Sequence, residues 1–143
     1  MTLVYFDSSA LVKLLVEEDG SDIAADLWDG CDLAVASRLA HVEVAAALAA
    51  ARRAHRLTAG AFEQAQQLWS AFWPSVSPVE LTAATSATAA RIAAEHALRG
   101  ADAVHLASLA AVGEDHCVMA VWDARLHAAA QTIGFRTAPA RLG

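Results

Sequence analysis

Cysteine is almost missing from this chain. Only Cys31 and Cys117 occur in 143 residues. Their positions show neither metal nor redox spacing, so no disulfide framework or thiolate centre organises the fold. Both read as small buried hydrophobes. Lysine is rarer still, with Lys13 alone beside nine arginines. Against sixteen acids this leaves a formal net charge of −6. That balance excludes a protein that grips nucleic acid by bulk positive charge, because phosphate neutralisation dominates non-specific affinity. It does not exclude a site where a bound cation supplies the charge locally. Long apolar runs are also lacking. The most extended Ala/Val/Leu segment, residues 42 to 51, contains Glu43 and stops at Arg52 and Arg53. A membrane span needs about 18 residues without such interruptions. The N-terminus has no basic stretch followed by a cleavable apolar one. The expectation is a cytoplasmic protein of one domain, residues 1–143, away from membranes.

What the chain has is hydrophobic residues, 57% of the total, arranged with alternating periods. Residues 2–6 (TLVYF), 33–36 and 117–122 (CVMAVW) read as buried strands, with weaker candidates at 76–81 and 135–137. Pro78 restricts the 76–81 segment to a sheet edge. Helical patterns fill the spaces between. One begins at Ser8, one covers DIAADLW, and a long one follows Ser37 as far as Arg56. Another runs from Leu57-Thr58 to Pro74, one from Thr82 to about Leu98 with Arg99-Gly100 as its stop, one over 101–112, and one from Asp123 to Ile133 before Gly134. Strands apolar on both faces and alternating with helices predict a three-layer α/β/α domain around a central parallel sheet. In such sheets, ligands bind at the carboxyl ends of the strands.

Most of the acids need no special explanation. Glu17, Glu18, Asp19, Asp22, Asp26, Asp29 and Asp32 fall in polar turns or on a helix face, and Glu114 and Asp115 in a turn. Four do not fit that account. Asp7 ends the first strand in YFDSSAL, Glu43 sits mid-helix in AHVEVAAAL, Asp102 lies in RGADAVHLAS, and Asp123 follows CVMAVW. An ionised carboxylate among apolar neighbours is expensive unless paired, and the chain has too few nearby cations to pair all four. Taken singly, Asp7, Asp102 and Asp123 also read as helix caps, and Glu43 as a surface glutamate. Taken together at one sheet edge, each pair would repel by ~4 kcal/mol at an effective dielectric near 20. A divalent cation resolves that repulsion, and oxygen-only ligands select Mg²⁺ or Mn²⁺ over zinc.

The stretches YFDSSALVKLL, HVEVAAAL, RGADAVHLAS and VWDARLHAAAQTIGF occur in this order, and together they resemble the PIN domain. The likeness is specifically to the VapC-type toxin ribonucleases of bacterial toxin–antitoxin pairs, and it covers nearly the whole chain. The resemblance implies a parallel sheet flanked by helices. It places the four acids of the family on Asp7, Glu43, Asp102 and Asp123, holding one or two Mg²⁺ or Mn²⁺ ions for endoribonucleolytic cleavage of RNA. It implies a homodimer inhibited by a small cognate antitoxin. Ser9 matches a hydroxyl residue two after the first acid. Val121 departs from the pattern, since many members carry a hydroxyl two before the fourth acid. The reaction expected is phosphodiester hydrolysis by an in-line water, with the bound cation supplying the nucleophile and no histidine base required.

Other chemistries are poorly served. A haloacid-dehalogenase-type phosphatase needs an aspartate where Ser9 stands, a receiver domain needs a lysine at a late strand end, and no phosphate-binding G-x-x-x-x-G-K is present. His41-Val-Glu43 is half a zinc-deaminase signature, but the P-C-x-x-C half is missing. The rival from another class is a non-catalytic interaction protein on the same fold, in which four mutually repelling acids would have no use. The histidines read as packing residues; His105, three after Asp102, reads as a hydrogen-bonded core side chain. Arg52, Arg53 and Arg56 complement the dipole of a helix end, with RNA contact as the other reading. Trp69 and Trp73, one turn apart, read as core or dimer interface.

Overall fold

Every strand of the sheet is short, and every connection between strands carries a helix, so all pairings can be parallel. The computed structural model describes residues 1–113, 115 and 117–143. Glu114, expected in a turn, lies outside the described residues, as does His116. The strands are β1 (Leu3–Phe6), β2 (Leu33–Ser37), β3 (Val76–Val79), β4 (Cys117–Ala120) and β5 (Thr137–Ala138). They lie in the order β3-β2-β1-β4-β5, all parallel. The expected edge position of the Pro78 strand is met.

Seven helices are described: α1 (Ser8–Lys13), α2 (Ser21–Gly30), α3 (Leu39–Arg53), α4 (Ala59–Phe72), α5 (Ala83–His96), α6 (Gly100–Val112) and α7 (Ala124–Ile133). Alternation along β1 separates two cores. Val4 and Phe6 pack with Leu11, Val44, Leu48 and Trp69 from the α1–α4 side, while Tyr5 packs with Ile92, Leu106, Leu109 and Leu126 from the α5–α7 side. The three-layer α/β/α architecture follows from those two buried faces.

Several boundaries differ from the periodic pattern, each for a local reason. The helix beginning at Ser8 is one short piece, because the Ser21 hydroxyl donates to the Val16 carbonyl and accepts the Glu18 amide, turning the chain early. Lys13, the sole lysine, bonds Glu18 and the Asp19 carbonyl in the same turn. Trp73–Ser75 forms a 3-10 turn ahead of β3, with Pro74 inside it. The stop of α5 is Ala97, in the left-handed region at φ 51°, whereas Gly100 opens α6. The last strand starts at Thr137, two residues later than the apolar pattern suggests.

Candidate active site

The strand order reverses direction at β1: β2 and β3 lie to one side, β4 and β5 to the other. A crevice opens at the carboxyl ends of the strands flanking such a switch point. Here it is a cavity of about 360 Å³, and Asp7, Glu43, Asp102 and Asp123 all line it. The chain thus brings together four acids separated by up to 116 positions in sequence, from Asp7 to Asp123.

Local hydrogen bonding explains how each is aimed. Asp7 caps α1 and is 3% exposed. Its Oδ2 accepts the Ser9 amide at 3.2 Å and the Ser9 hydroxyl at 2.7 Å. The same hydroxyl accepts the Trp122 amide at 3.0 Å, and the Asp7 amide donates to the Ala120 carbonyl. Ser9 therefore ties the end of β1 to the segment leaving β4. Val121, the position without a hydroxyl, is buried in the apolar core, and Ser9 serves that neighbourhood instead. Asp123 caps α7, its Oδ1 accepting the Leu126 amide at 2.9 Å. For these two acids the capping account holds, and each residue also lines the cavity.

Asp102 is different. It is the third residue of α6, not its cap, and its buried Oδ2 has no hydrogen-bond partner. The nearest cation, the Arg99 Nε, stands 3.7 Å away on a side chain that is 72% exposed. Burial raises the pKa of Asp102, the charges of Asp123 and Asp7 add to the rise, and Arg99 and His105 oppose it. Arg99 is the single cation among the described residues lining the cavity. Arg52 and Arg53 close the last turn of α3, and with Arg56 they lie outside this lining.

Glu43 projects from α3, one-quarter exposed, and its Oε1 lies 2.5 Å from the His105 Nε2. That nitrogen is also 3.4 Å from the Asp7 Oδ1. His105 is a hydrogen-bonded core residue, as its position in sequence suggested, but it reaches the acids as well. Burial pulls its pKa down; the Glu43 hydrogen bond and the charges of Asp7, Glu43 and Asp102 more than reverse this, and the net shift is upward. Neither His105 nor Arg99 was marked as a site residue by sequence. Arg99 opens the segment that carries Asp102, three positions before it, which is the signal the sequence offers.

The donor set suits a hard divalent cation. All four acids offer oxygen, Asp102 holds a buried oxygen that nothing in the protein satisfies, and the lining cations are too few to neutralise the group. Among the described residues, no three His, Cys, Asp or Glu side chains are already gathered tightly enough to hold an ion as they stand. The acids ring the cavity, with Glu43 held by His105 and Asp7 by Ser9.

Known proteins were compared with this chain. A profile of the PIN domain matches residues 4–118, a span that includes Asp7, Glu43 and Asp102. Two curated proteins of Mycobacterium tuberculosis, Ribonuclease VapC45 of strain CDC 1551 / Oshkosh and Ribonuclease VapC49 of strain ATCC 25618 / H37Rv, are each 58% identical over 142 residues. Those alignments cover 99% of this chain and 99% of each relative, and so extend past Asp123. With a family profile over most of its length, and this identity over nearly all of it, the chain belongs to the PIN-domain family.

Proposed function

We propose that this chain is an endoribonuclease, the toxin of a toxin–antitoxin pair, and that Asp7, Glu43, Asp102 and Asp123 hold Mg²⁺ or Mn²⁺ for hydrolysis of RNA phosphodiester bonds. The supporting observation is the buried, unpartnered oxygen of Asp102 on the wall of a cavity shared with three other acids. The ribonuclease names of the two full-length relatives point the same way. Held by these four acids, a divalent ion would supply a nucleophilic water at neutral pH and would stabilise charge on the phosphate.

The protein's own groups do the rest. Asp7 is held at the end of β1 by two hydrogen bonds from Ser9. Asp102 contributes the oxygen that no protein donor claims. Asp123 keeps its Oδ1 on the Leu126 amide while the residue lines the cavity. Arg99, exposed at the rim, is placed to pair with a phosphate once the RNA backbone arrives. With one lining cation, affinity for RNA rests chiefly on the bound ion and on surfaces beyond the cavity. The chain acts as a single domain over residues 1–143, in the cytoplasm, as a homodimer with a small antitoxin partner. A non-catalytic interaction protein would gain nothing from a buried carboxylate oxygen without a hydrogen-bond partner, which costs stability.

The test is cleavage of a mixed RNA pool by the purified chain with Mg²⁺, with EDTA, and with Asp7→Asn. Asparagine preserves the cap on α1, so the variant should fold and lose cleavage. Cleavage that requires both metal and Asp7 is the expected result. Cleavage that persists in EDTA, or in Asp7→Asn, would overturn the ligand assignment.

A further inference from the structure

The chain has one tyrosine, Tyr5, and it lies fully buried in the middle strand of the sheet. Its neighbours in that core are Ile92, Leu106, Leu109 and Met119, among which a phenylalanine would pack as well without burying a hydroxyl. The hydroxyl is nevertheless fully engaged. It accepts the Ser37 amide at the end of β2, 3.2 Å away, and lies 2.8 Å from the Nδ1 of His105. The two rings meet edge to face, with centroids 6.0 Å apart. His105 is 1% exposed and comes from α6, on the opposite side of the sheet from α3. Its Nε2 sits 2.5 Å from the Glu43 Oε1 and 3.4 Å from the Asp7 Oδ1.

A carboxylate only accepts hydrogen bonds, so the Nε2 proton is donated toward Glu43 whatever the other nitrogen carries. The imidazole cannot swing away, because its far nitrogen is held by a hydroxyl that is itself pinned to two strands. Glu43 has three rotatable torsions and reaches the cavity from a helix packed on the other layer. Without a fixed donor its carboxylate would sample many positions. With one, the carboxylate stays beside Asp7, and the distance between the two acids is set by a ring that neither residue controls.

We propose that Tyr5 and His105 form a positioning relay that holds Glu43 beside Asp7 and so prepares the acid ring for a divalent cation. The proposal deepens, and rests on, the assignment of those acids as ion ligands. Groups that orient metal ligands in this way typically change ion affinity by about 10–100-fold when removed. The relay touches no RNA, so its loss should appear in ion binding and in kcat at limiting Mg²⁺, with KM for RNA unchanged.

The experiment uses the full chain without RNA. Mn²⁺ affinity is read by electron paramagnetic resonance for wild type, Tyr5→Phe, His105→Gln, Glu43→Gln and the Tyr5→Phe/Glu43→Gln pair, with thermal unfolding of each in EDTA. Tyr5→Phe keeps the ring and should fold. It should weaken Mn²⁺ binding by about 10-fold, and raising Mg²⁺ should restore its RNA cleavage. In the Glu43→Gln background, Tyr5→Phe should have no further effect on Mn²⁺. If Tyr5→Phe lowers the unfolding temperature yet leaves Mn²⁺ affinity and the Mg²⁺ dependence of cleavage unchanged, the pair is structural and the proposal fails. If His105→Gln, when folded, binds Mn²⁺ like wild type, the proposal fails in the same way. Wild type that binds no Mn²⁺ overturns the ion assignment itself, a different result from a relay variant matching a competent wild type.

Discussion

At the scale of single residues, Asp102 couples stability to pH. Burial and neighbouring acids raise its pKa above the ordinary 3.8, so between that value and the raised one the folded state binds more protons than the unfolded chain. Folding therefore becomes less favourable as pH rises from that ordinary value through the raised one. His105, raised above 6.5, has the same sign over a higher range: its contribution is complete below 6.5 and is lost as pH climbs through the folded value. Thermal unfolding in EDTA across acid to neutral pH should show stability falling as pH rises over those windows, beyond any general trend in an Asp102→Asn variant. Saturating Mg²⁺ should offset the fall, because an ion takes the place of the protons. A stability profile identical in wild type and Asp102→Asn would contradict this. The sequence showed Asp102 plainly, as an acid in an apolar helix start. It could not show His105 as more than packing, since the partners that give it a role lie 100 and 62 positions away.

At the scale of elements, local chemistry decided where helices begin more legibly than where they end. Thr58, Thr82 and Asp123 each accept an amide of the first turn, as their side chains predict. Endings were harder, because they depend on which residue takes a left-handed backbone. Gly134 does so at φ 110° after α7, as expected. After α5 the duty falls on Ala97 at φ 51°, with the Leu98 amide returning to the Ala93 carbonyl, and glycine three residues later plays no part in the stop. Alanine in that region carries a steric cost that glycine avoids. Ala97→Gly should raise stability by about 0.5–1 kcal/mol in denaturant unfolding, without altering RNA cleavage. A destabilised variant would show that the exposed Ala97 methyl contributes packing beyond the backbone geometry.

At the scale of the whole molecule, the alternating periods carried the α/β/α architecture, but strand order lay outside them. Nothing in a strand's own composition says that β4 returns beside β1 rather than beside β3. That placement is what brings Asp123 to Asp7. The two cores lie on opposite faces of the sheet, and the tryptophans all pack on one side: Trp69 within the α1–α4 core, with Trp28, Trp73 and Trp122 against it. Leu106 is buried on the other side. If residues 1–143 fold as one unit, Leu106→Ala should lower the tryptophan-fluorescence midpoint as much as the circular-dichroism midpoint, at a cost of about 2–5 kcal/mol. A fluorescence transition unmoved by that substitution would mean that the layers unfold separately.

The sheet's margins limit how anything larger can be built from this protein. On one side β3 includes Pro78, which has no amide to donate, and on the other β5 is two residues long. Neither flank is a template on which a foreign strand could register, so the chain is protected against edge-to-edge polymerisation when crowded. By the same token, a protein that captures it must do so through helix faces or at the acidic rim. An inhibitor built as an extended β-peptide would find no seat at either edge.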